Sequence, residues 1–145
     1  MMKRVLVALD GSKRAPGVLV AARELAAKFS AELFPLRALT IPAEFPAAAL
    51  GTQVDPLPAR LTELAKQELT SLVRAFPECA EPLVRIGQPW RVIIDVSAEL
   101  DIDLIVLGSH GYGGWDRVLG TTAAKVANMA QCNVLVVHDR TQRMA

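Results

Sequence analysis

The sequence has few of the residues that build metal centres or disulfides, and its charges are nearly balanced. It contains two cysteines and two histidines, and neither a CxxC pair nor a histidine at ligand spacing occurs, which argues against a metal site. The isolated Cys79 and Cys132 are expected to be reduced thiols that pack as small hydrophobic groups. The net charge is only +1 and there is no basic stripe, so nothing indicates nucleic-acid binding.

Long apolar runs are missing as well. No run approaches the roughly 18 residues of a membrane span, and the first apolar run is too short for the core of a secretory signal and ends at Asp10. The sequence therefore predicts a cytoplasmic protein. Its 145 residues suit one domain over residues 1–145, with one sizeable hydrophobic core.

Short apolar runs alternate with amphipathic helical patterns along the chain. Runs rich in Val, Leu and Ile without polar alternation are typical of strands that are covered on both faces. The patterns predict strands at 3–9, 32–39, 82–86, 104–107 and 133–137, with helices ending near 29, spanning 61–76 and 89–100, and spanning 121–130. Between them, residues 40–58 show no clean period and are expected to form a long loop. This order predicts an α/β fold with a doubly wound, five-stranded parallel sheet and helices on both faces.

The expected winding reverses between the first and fourth strands. In doubly wound sheets the ligand lies beyond the carboxyl ends of the strands at this reversal. Asp10 follows the first strand and Gly108 follows the fourth, so we expect these two distant segments to meet in one crevice. Asp10 is equally well explained as a cap of the helix that follows it. By contrast, Asp101 and Asp103 precede the fourth strand and are expected to be solvated turn residues.

Five of the nine glycines lie within residues 108–120. The segment contains neither G-x-x-x-x-G-K-[ST] nor a G-x-G-x-x-G after the first strand, which excludes a P-loop and a standard dinucleotide fingerprint. It has instead a G-x-x-G, a spacer of eight residues, and then Gly120-Thr121-Thr122. Glycines between a strand and a helix, followed by hydroxyl groups at the helix start, indicate a loop around sugar and phosphate.

The same residues resemble the universal stress protein family. The resemblance rests on Val7–Ser12, on Asp103–Gly111 and on Asn133–Val137, and it covers essentially the full chain in the right order. It implies a dimeric, five-stranded parallel fold with a subgroup that binds ATP through G-x-x-G, nine residues and G-[ST]. Gly108, Gly111, Gly120 and Thr121 match that signature, although the spacer here has eight residues.

From the resemblance and the crevice together, the sequence predicts an adenine nucleotide site that takes ATP, with ADP or AMP as alternatives and Mg as a possible companion ion. Ala8 and Asp10 match positions at the base and ribose end. The expected binding residues are Ala8, Leu9, Asp10, Gly108, Ser109, His110, Gly111, Gly113, Gly114, Gly120, Thr121 and Thr122. No residue is assigned a catalytic or metal-binding role.

Ser109 and His110 could suggest a catalytic pair, but they are adjacent in sequence and no motif supplies an orienting carboxylate. The preferred hypothesis is therefore a nucleotide-binding regulatory protein of the stress response. A slow ATPase or self-modifying enzyme, which transfers a phosphoryl or adenylyl group to itself, is the alternative. A third possibility is a dimer that binds no nucleotide and acts only through protein contacts.

The last strand is expected to lie at the edge of the sheet. An exposed apolar edge invites pairing with another chain, and the family resemblance implies dimerisation through this strand. The sequence therefore predicts a homodimer formed through Val134, Leu135, Val136 and Val137.

Overall fold

A computed structural model describes residues 1–40, 56–109 and 119–138 of the chain. In chain order the elements are β1 (Arg4–Ala8), α1 (Ala15–Phe29), β2 (Glu32–Leu39), α2 (Pro56–Val73), β3 (Leu83–Ile86), α3 (Pro89–Glu99), β4 (Leu104–Gly108), α4 (Thr121–Met129) and β5 (Asn133–Val137). None of the described helices is both long and apolar enough to cross a membrane.

The strands form one parallel sheet in the order β3-β2-β1-β4-β5. The chain winds outward from β1 to β3, crosses back to β4 on the other side of β1, and ends at the β5 edge. The winding therefore reverses between β1 and β4, as the sequence pattern predicts. In the register of this pair Ala8 lies beside Leu107.

The sheet is buried on both faces by two separate hydrophobic clusters. Side chains alternate along a strand, so in β4 Leu104 and Val106 join the cluster under α1 and α2. Ile105 and Leu107 join the opposite cluster, which packs under α3 and α4. This two-sided burial explains the unbroken apolar runs of the central strands and confirms the predicted doubly wound α/β architecture.

The start of α1 differs from the expected capping. Pro16 lies in the first turn, the N-cap residue is Arg14, and no side chain caps the helix. The carboxylate of Asp10 instead accepts a hydrogen bond from the backbone N–H of Ser12 at 2.9 Å, and the Ser12 hydroxyl accepts one from the N–H of Arg14 at 3.2 Å. Asp10 therefore stabilises the turn between β1 and α1, and the prediction that it caps the helix is wrong.

Asp103, which was expected to be a solvated turn residue, also has a structural role at the start of β4. Its Oδ2 accepts hydrogen bonds from the backbone N–H groups of Lys3 at 2.8 Å and Arg4 at 2.9 Å. These two bonds hold the pKa of the Asp103 carboxyl below its usual range, because N–H donors favour the charged form. The carboxylate thus ties the start of β1 to the start of β4.

Two helices depart from the predicted patterns. Helix α2 begins at Pro56, ahead of the expected Leu61, and ends at Val73, ahead of Phe76. Residues 41–55 of the predicted long loop lie outside the described part of the chain. In α4, Val126 is buried and the following Ala127 is exposed, so the buried stripe of this short helix is narrow.

Candidate functional site

A cavity opens at the carboxyl edge of the sheet, at the reversal between β1 and β4. Its volume is about 890 Å³, and it is bounded by the ends of β1, β2, β4 and β5 and by the first turns of α1, α3 and α4. Small-molecule pockets typically measure ~300–1,000 Å³, so a ligand as large as a nucleotide fits. The predicted crevice is therefore present.

The β4 side of the cavity is formed by Gly108 and Ser109. A Cβ added to Gly108 would stand 3.3 Å from a methyl group of Val18, so glycine at this position lets α1 lie close to the strand end. Ser109 is fixed through its backbone: its N–H donates to the carbonyl of Val137 at 2.9 Å, and its carbonyl accepts from the N–H of Gly120 at 2.7 Å. One residue thus joins β4 to β5 and to the start of α4.

The hydroxyl group of Ser109 is unusual for a buried polar group. Ser109 is only 2 % exposed, and among the described residues its Oγ has no hydrogen-bond partner. Buried hydroxyls are normally satisfied, because an unmade hydrogen bond in the interior costs about 1–3 kcal/mol. Ser109 is also one of the residues that line the cavity, so the unsatisfied hydroxyl lies in the cavity wall.

Helix α4 directs its N-terminus toward this wall. Gly120 is its N-cap residue, and the first helical hydrogen bond runs from the N–H of Ala124 to the carbonyl of Gly120 at 3.0 Å. The N–H groups of the first turn therefore have no partner within the helix and carry the positive end of its dipole. Thr122 lines the cavity, whereas Gly120 and Thr121 are not among its described lining residues.

The β1 side of the cavity contains the other predicted group of residues, Ala8, Leu9 and Asp10. Leu9 is 4 % exposed and its N–H donates to the carbonyl of Leu36 at 2.8 Å, so it presents mainly backbone to the cavity. Asp10 is exposed and retains an acceptor oxygen beside the one bonded to Ser12. Of the remaining predicted residues, His110, Gly111, Gly113 and Gly114 lie outside the described part of the chain.

Sequence reasoning missed the basic residues of the cavity wall. Lys13, Arg14 and Arg37 line it together with Asp10, so the described wall carries three cations and one carboxylate. Arg37 comes from β2, where it is the one charged residue in the run from Leu33 to Leu39. That single charge in an apolar run was a usable signal, but periodicity alone does not show that Arg37 lies at the end of the sheet that holds the cavity.

The nucleophilic and metal-ligating side chains of the described residues form neither a metal cluster nor a serine–base pair. The described residues contain no group of three or more His, Cys, Asp or Glu side chains that could hold a metal ion. Cys79 and Cys132 are free thiols, and partial burial raises the pKa of each, so both remain protonated at neutral pH. The Ser109 hydroxyl has no base as a hydrogen-bond partner within the described residues, and activation of a serine nucleophile requires one.

Comparison with known proteins gives one consistent result. The model of the universal stress protein family matches residues 1–138. Universal stress protein Sll1388 of Synechocystis is 34% identical over 149 residues, which cover 92% of this chain and 96% of the relative. The structure of universal stress protein UspA from Lactobacillus plantarum aligns with a TM-score of 0.72 at 27% identity, over 93% of this chain and 97% of that one.

A further similar structure is that of a universal stress protein in complex with cAMP. It aligns with a TM-score of 0.68 at 24% identity, and covers 94% of this chain and 97% of the other. At this identity the similarity establishes the shared fold.

Proposed function

Since the chain belongs to the universal stress protein family, we propose that it is a stress-response regulatory protein that binds an adenine nucleotide, ATP foremost, in the cavity between β1 and β4. The observation that carries this proposal is the buried hydroxyl of Ser109, a residue of the cavity wall, which has no hydrogen-bond partner among the described residues. A ligand oxygen beside it would satisfy the hydroxyl. The same fold holds an adenine nucleotide in the cAMP complex of another family member.

The phosphates are assigned to the α4 side of the cavity. Unpaired N–H groups and the helix dipole favour anions at a helix N-terminus, and Thr122 adds a hydroxyl group on the cavity wall. Gly108, Ser109, Gly120 and Thr121 complete this end among the described residues. The proposal extends it to His110, Gly111, Gly113 and Gly114, and a Mg ion carried by the nucleotide would neutralise part of the phosphate charge.

The base and ribose are assigned to the β1 side. Ala8 leaves room beside the strand end, Leu9 presents its backbone, and Asp10 offers a carboxylate oxygen to a ribose hydroxyl or a base amine. ADP and AMP share the base and ribose and are expected to bind more weakly, because they carry fewer phosphate oxygens for the α4 end.

Equilibrium binding of ATP to the purified protein tests the proposal. Thr122→Ala should weaken ATP binding about tenfold, the loss expected for one hydrogen bond to a charged group. Gly120→Val should also weaken it, because a branched residue disturbs the N-cap that Ser109 holds. Thr70→Ala on α2 is the matched control, since this threonine lies outside the described cavity wall. Absence of binding at millimolar ATP would contradict the proposal.

We also propose that the protein is a homodimer formed through β5. The described sheet has two edges, β3 and β5, and they differ in charge. Strand β3 carries Arg85, and charged side chains protect an edge against pairing, whereas β5 has no charged residue and exposes 37% of Leu135.

Light scattering after size-exclusion chromatography tests the choice of edge. Leu135→Lys should convert the dimer to a monomer with an unchanged circular dichroism spectrum. Ile86→Lys is the matched control on the other edge, where the side chain is 45% exposed, and it should leave the dimer intact. A wild-type monomer, or a dimer lost only in the Ile86 variant, would refute the proposed interface.

A further inference from the structure

Arg37 lines the cavity but has no role in the nucleotide binding proposed above. It lies near the end of β2, on the far side of β1 from Gly108. Neighbouring strands lie about 4.8 Å apart, so the ends of β2 and β4 are separated by roughly 10 Å. With the 5′-phosphates at the α4 end, the ribose and base of a bound nucleotide extend toward Arg37.

Gly11 provides the space in which the guanidinium group lies. A Cβ added to Gly11 would stand 2.7 Å from Cζ and 2.7 Å from Nη2 of Arg37, so the group packs directly against the turn between β1 and α1. Gly11 also has φ of +76°, a backbone conformation that favours glycine. The turn and the arginine are therefore fitted to each other at the cavity wall.

The ion pair of Arg37 uses only part of its hydrogen-bonding capacity. Nη1 bonds to Oε2 of Glu68 at 2.7 Å, with 21% of the Arg37 side chain and 69% of the Glu68 side chain exposed. The arginine is the inner partner, and the carboxylate reaches it from the solvent side. A guanidinium has five N–H donors in a planar fork suited to phosphate, whereas a pair with a largely exposed partner contributes little to stability.

The charges around Arg37 favour an anion. Lys13 and Arg14 also line the cavity, and Asp10 is the one acidic residue of the described wall. We infer that Arg37 is a specificity-determining residue that binds a second phosphate group, carried on the 2′ or 3′ oxygen of the ribose. Among adenine nucleotides that carry the same 5′-phosphate group, those with this second phosphate on the ribose are then preferred. This inference rests on the proposed nucleotide binding.

Calorimetric binding of three nucleotides at fixed ionic strength tests the inference. AMP, adenosine 3′,5′-bisphosphate and adenosine 2′,5′-bisphosphate share the base and the 5′-phosphate and differ only in the second phosphate. The wild-type protein should bind one of the bisphosphates at least about tenfold more tightly than AMP, as expected for a charge-assisted bidentate contact. Arg37→Met should reduce that ratio to about one.

Two further variants separate recognition from a structural ion pair. Glu68→Gln should keep or raise the bisphosphate preference, because it removes the competing carboxylate. Arg85→Met is the matched control, because Arg85 also pairs with a glutamate, Glu99 at 2.8 Å. This substitution removes one positive charge outside the described cavity wall, so the ratio of bisphosphate to AMP affinity should not change. Loss of the preference in Glu68→Gln as well as Arg37→Met would overturn the inference in favour of a structural pair.

ATP binding, measured in parallel, separates this inference from the proposed function. If the wild-type protein binds ATP but shows no preference for a bisphosphate over AMP, the assignment of Arg37 is wrong and the proposed function stands. If neither ATP nor any of the three nucleotides binds, both are wrong.

Discussion

Replacing Ser109 with alanine is expected to stabilise the ligand-free protein and to weaken nucleotide binding. The hydroxyl oxygen is buried without a hydrogen-bond partner among the described residues, and the side chain as a whole is 2 % exposed. Alanine keeps the Cβ and both backbone hydrogen bonds of the residue. The substitution therefore removes the unsatisfied polar atom and little else.

The size of the effect follows from the cost of the unmade hydrogen bond. A buried hydroxyl without a partner costs about 1–3 kcal/mol, and loss of one oxygen's packing offsets part of the gain. We expect the free energy of unfolding to rise by about 1 kcal/mol, which corresponds to about 3 °C in the melting temperature of a domain of this size. ATP affinity should fall about tenfold, because the ligand loses a hydrogen bond from that hydroxyl.

Ser97 provides the matched control. It is also buried, at 8 % exposure, but its hydroxyl donates to the carbonyl of Ile94 at 2.7 Å. Ser97→Ala should lower the free energy of unfolding by about 0.5 kcal/mol, since the lost hydrogen bond outweighs the better helix propensity of alanine. Urea unfolding and ATP titration of both variants give the comparison.

Two results would refute the reasoning about Ser109. Destabilisation of Ser109→Ala by 1 kcal/mol or more would show that its hydroxyl is satisfied in the free protein. Unchanged ATP affinity together with increased stability would show that the hydroxyl does not contact the nucleotide.

Three further predictions concern the fold and the turn beside the cavity. The pKa of Asp103 is lowered from its ordinary value of 3.8 by the N–H groups of Lys3 and then Arg4, so its stabilising effect is present above that value and is lost as the pH falls through the lower, folded-state pKa. The urea midpoint of the wild-type protein should therefore fall below about pH 4, and Asp103→Asn should show a smaller fall. Leu6→Ala, at a side chain that is 0% exposed, should cost about 3 kcal/mol in urea unfolding, whereas Leu64→Ala, at 54% exposure, should change it by less than about 0.5 kcal/mol. Gly11→Ala should cost about 1–2 kcal/mol, because alanine is strained at φ of +76°, and it should abolish the bisphosphate preference by displacing Arg37; an unchanged preference would contradict the packing of Arg37 on this turn.

The order and type of the elements were predictable because two-sided burial leaves a simple pattern. β1 and β4 lie in the middle of the sheet, so their residues are apolar regardless of face. The ends of α2 were not predictable from periodicity. Its first turn contains prolines, which a helix tolerates only at its start, and the apolar spacing continues to Phe76 after the helix has ended at Val73.

Site residues that directly follow a strand are easier to predict from the sequence than site residues within a strand. Asp10 and Ser109 follow strands, so the topology alone brings them to the same edge. Arg37 lies within β2, and its contact with Gly11 joins residues 26 positions apart in sequence. The two hydrogen bonds of Asp103 span about 100 positions. Contacts of this kind depend on how far each strand extends past its neighbour, which no local pattern encodes.

The register of β1 against β4 is what makes a two-sided site out of these separate segments. Ala8 pairs with Leu107, so Leu9 and Asp10 leave the sheet beside Gly108 and Ser109. A slip of one residue would turn the side chains of a strand to the opposite face. Val5 and Val7, which are fully buried under α1 and α2, would then have to repack in the cluster under α3 and α4. The core therefore fixes the register, and the register fixes the distance between the two ends of the cavity. Residues that bind ligand can then vary at the strand ends without changing the fold, whereas any change that shifts the register would lose stability and the site together.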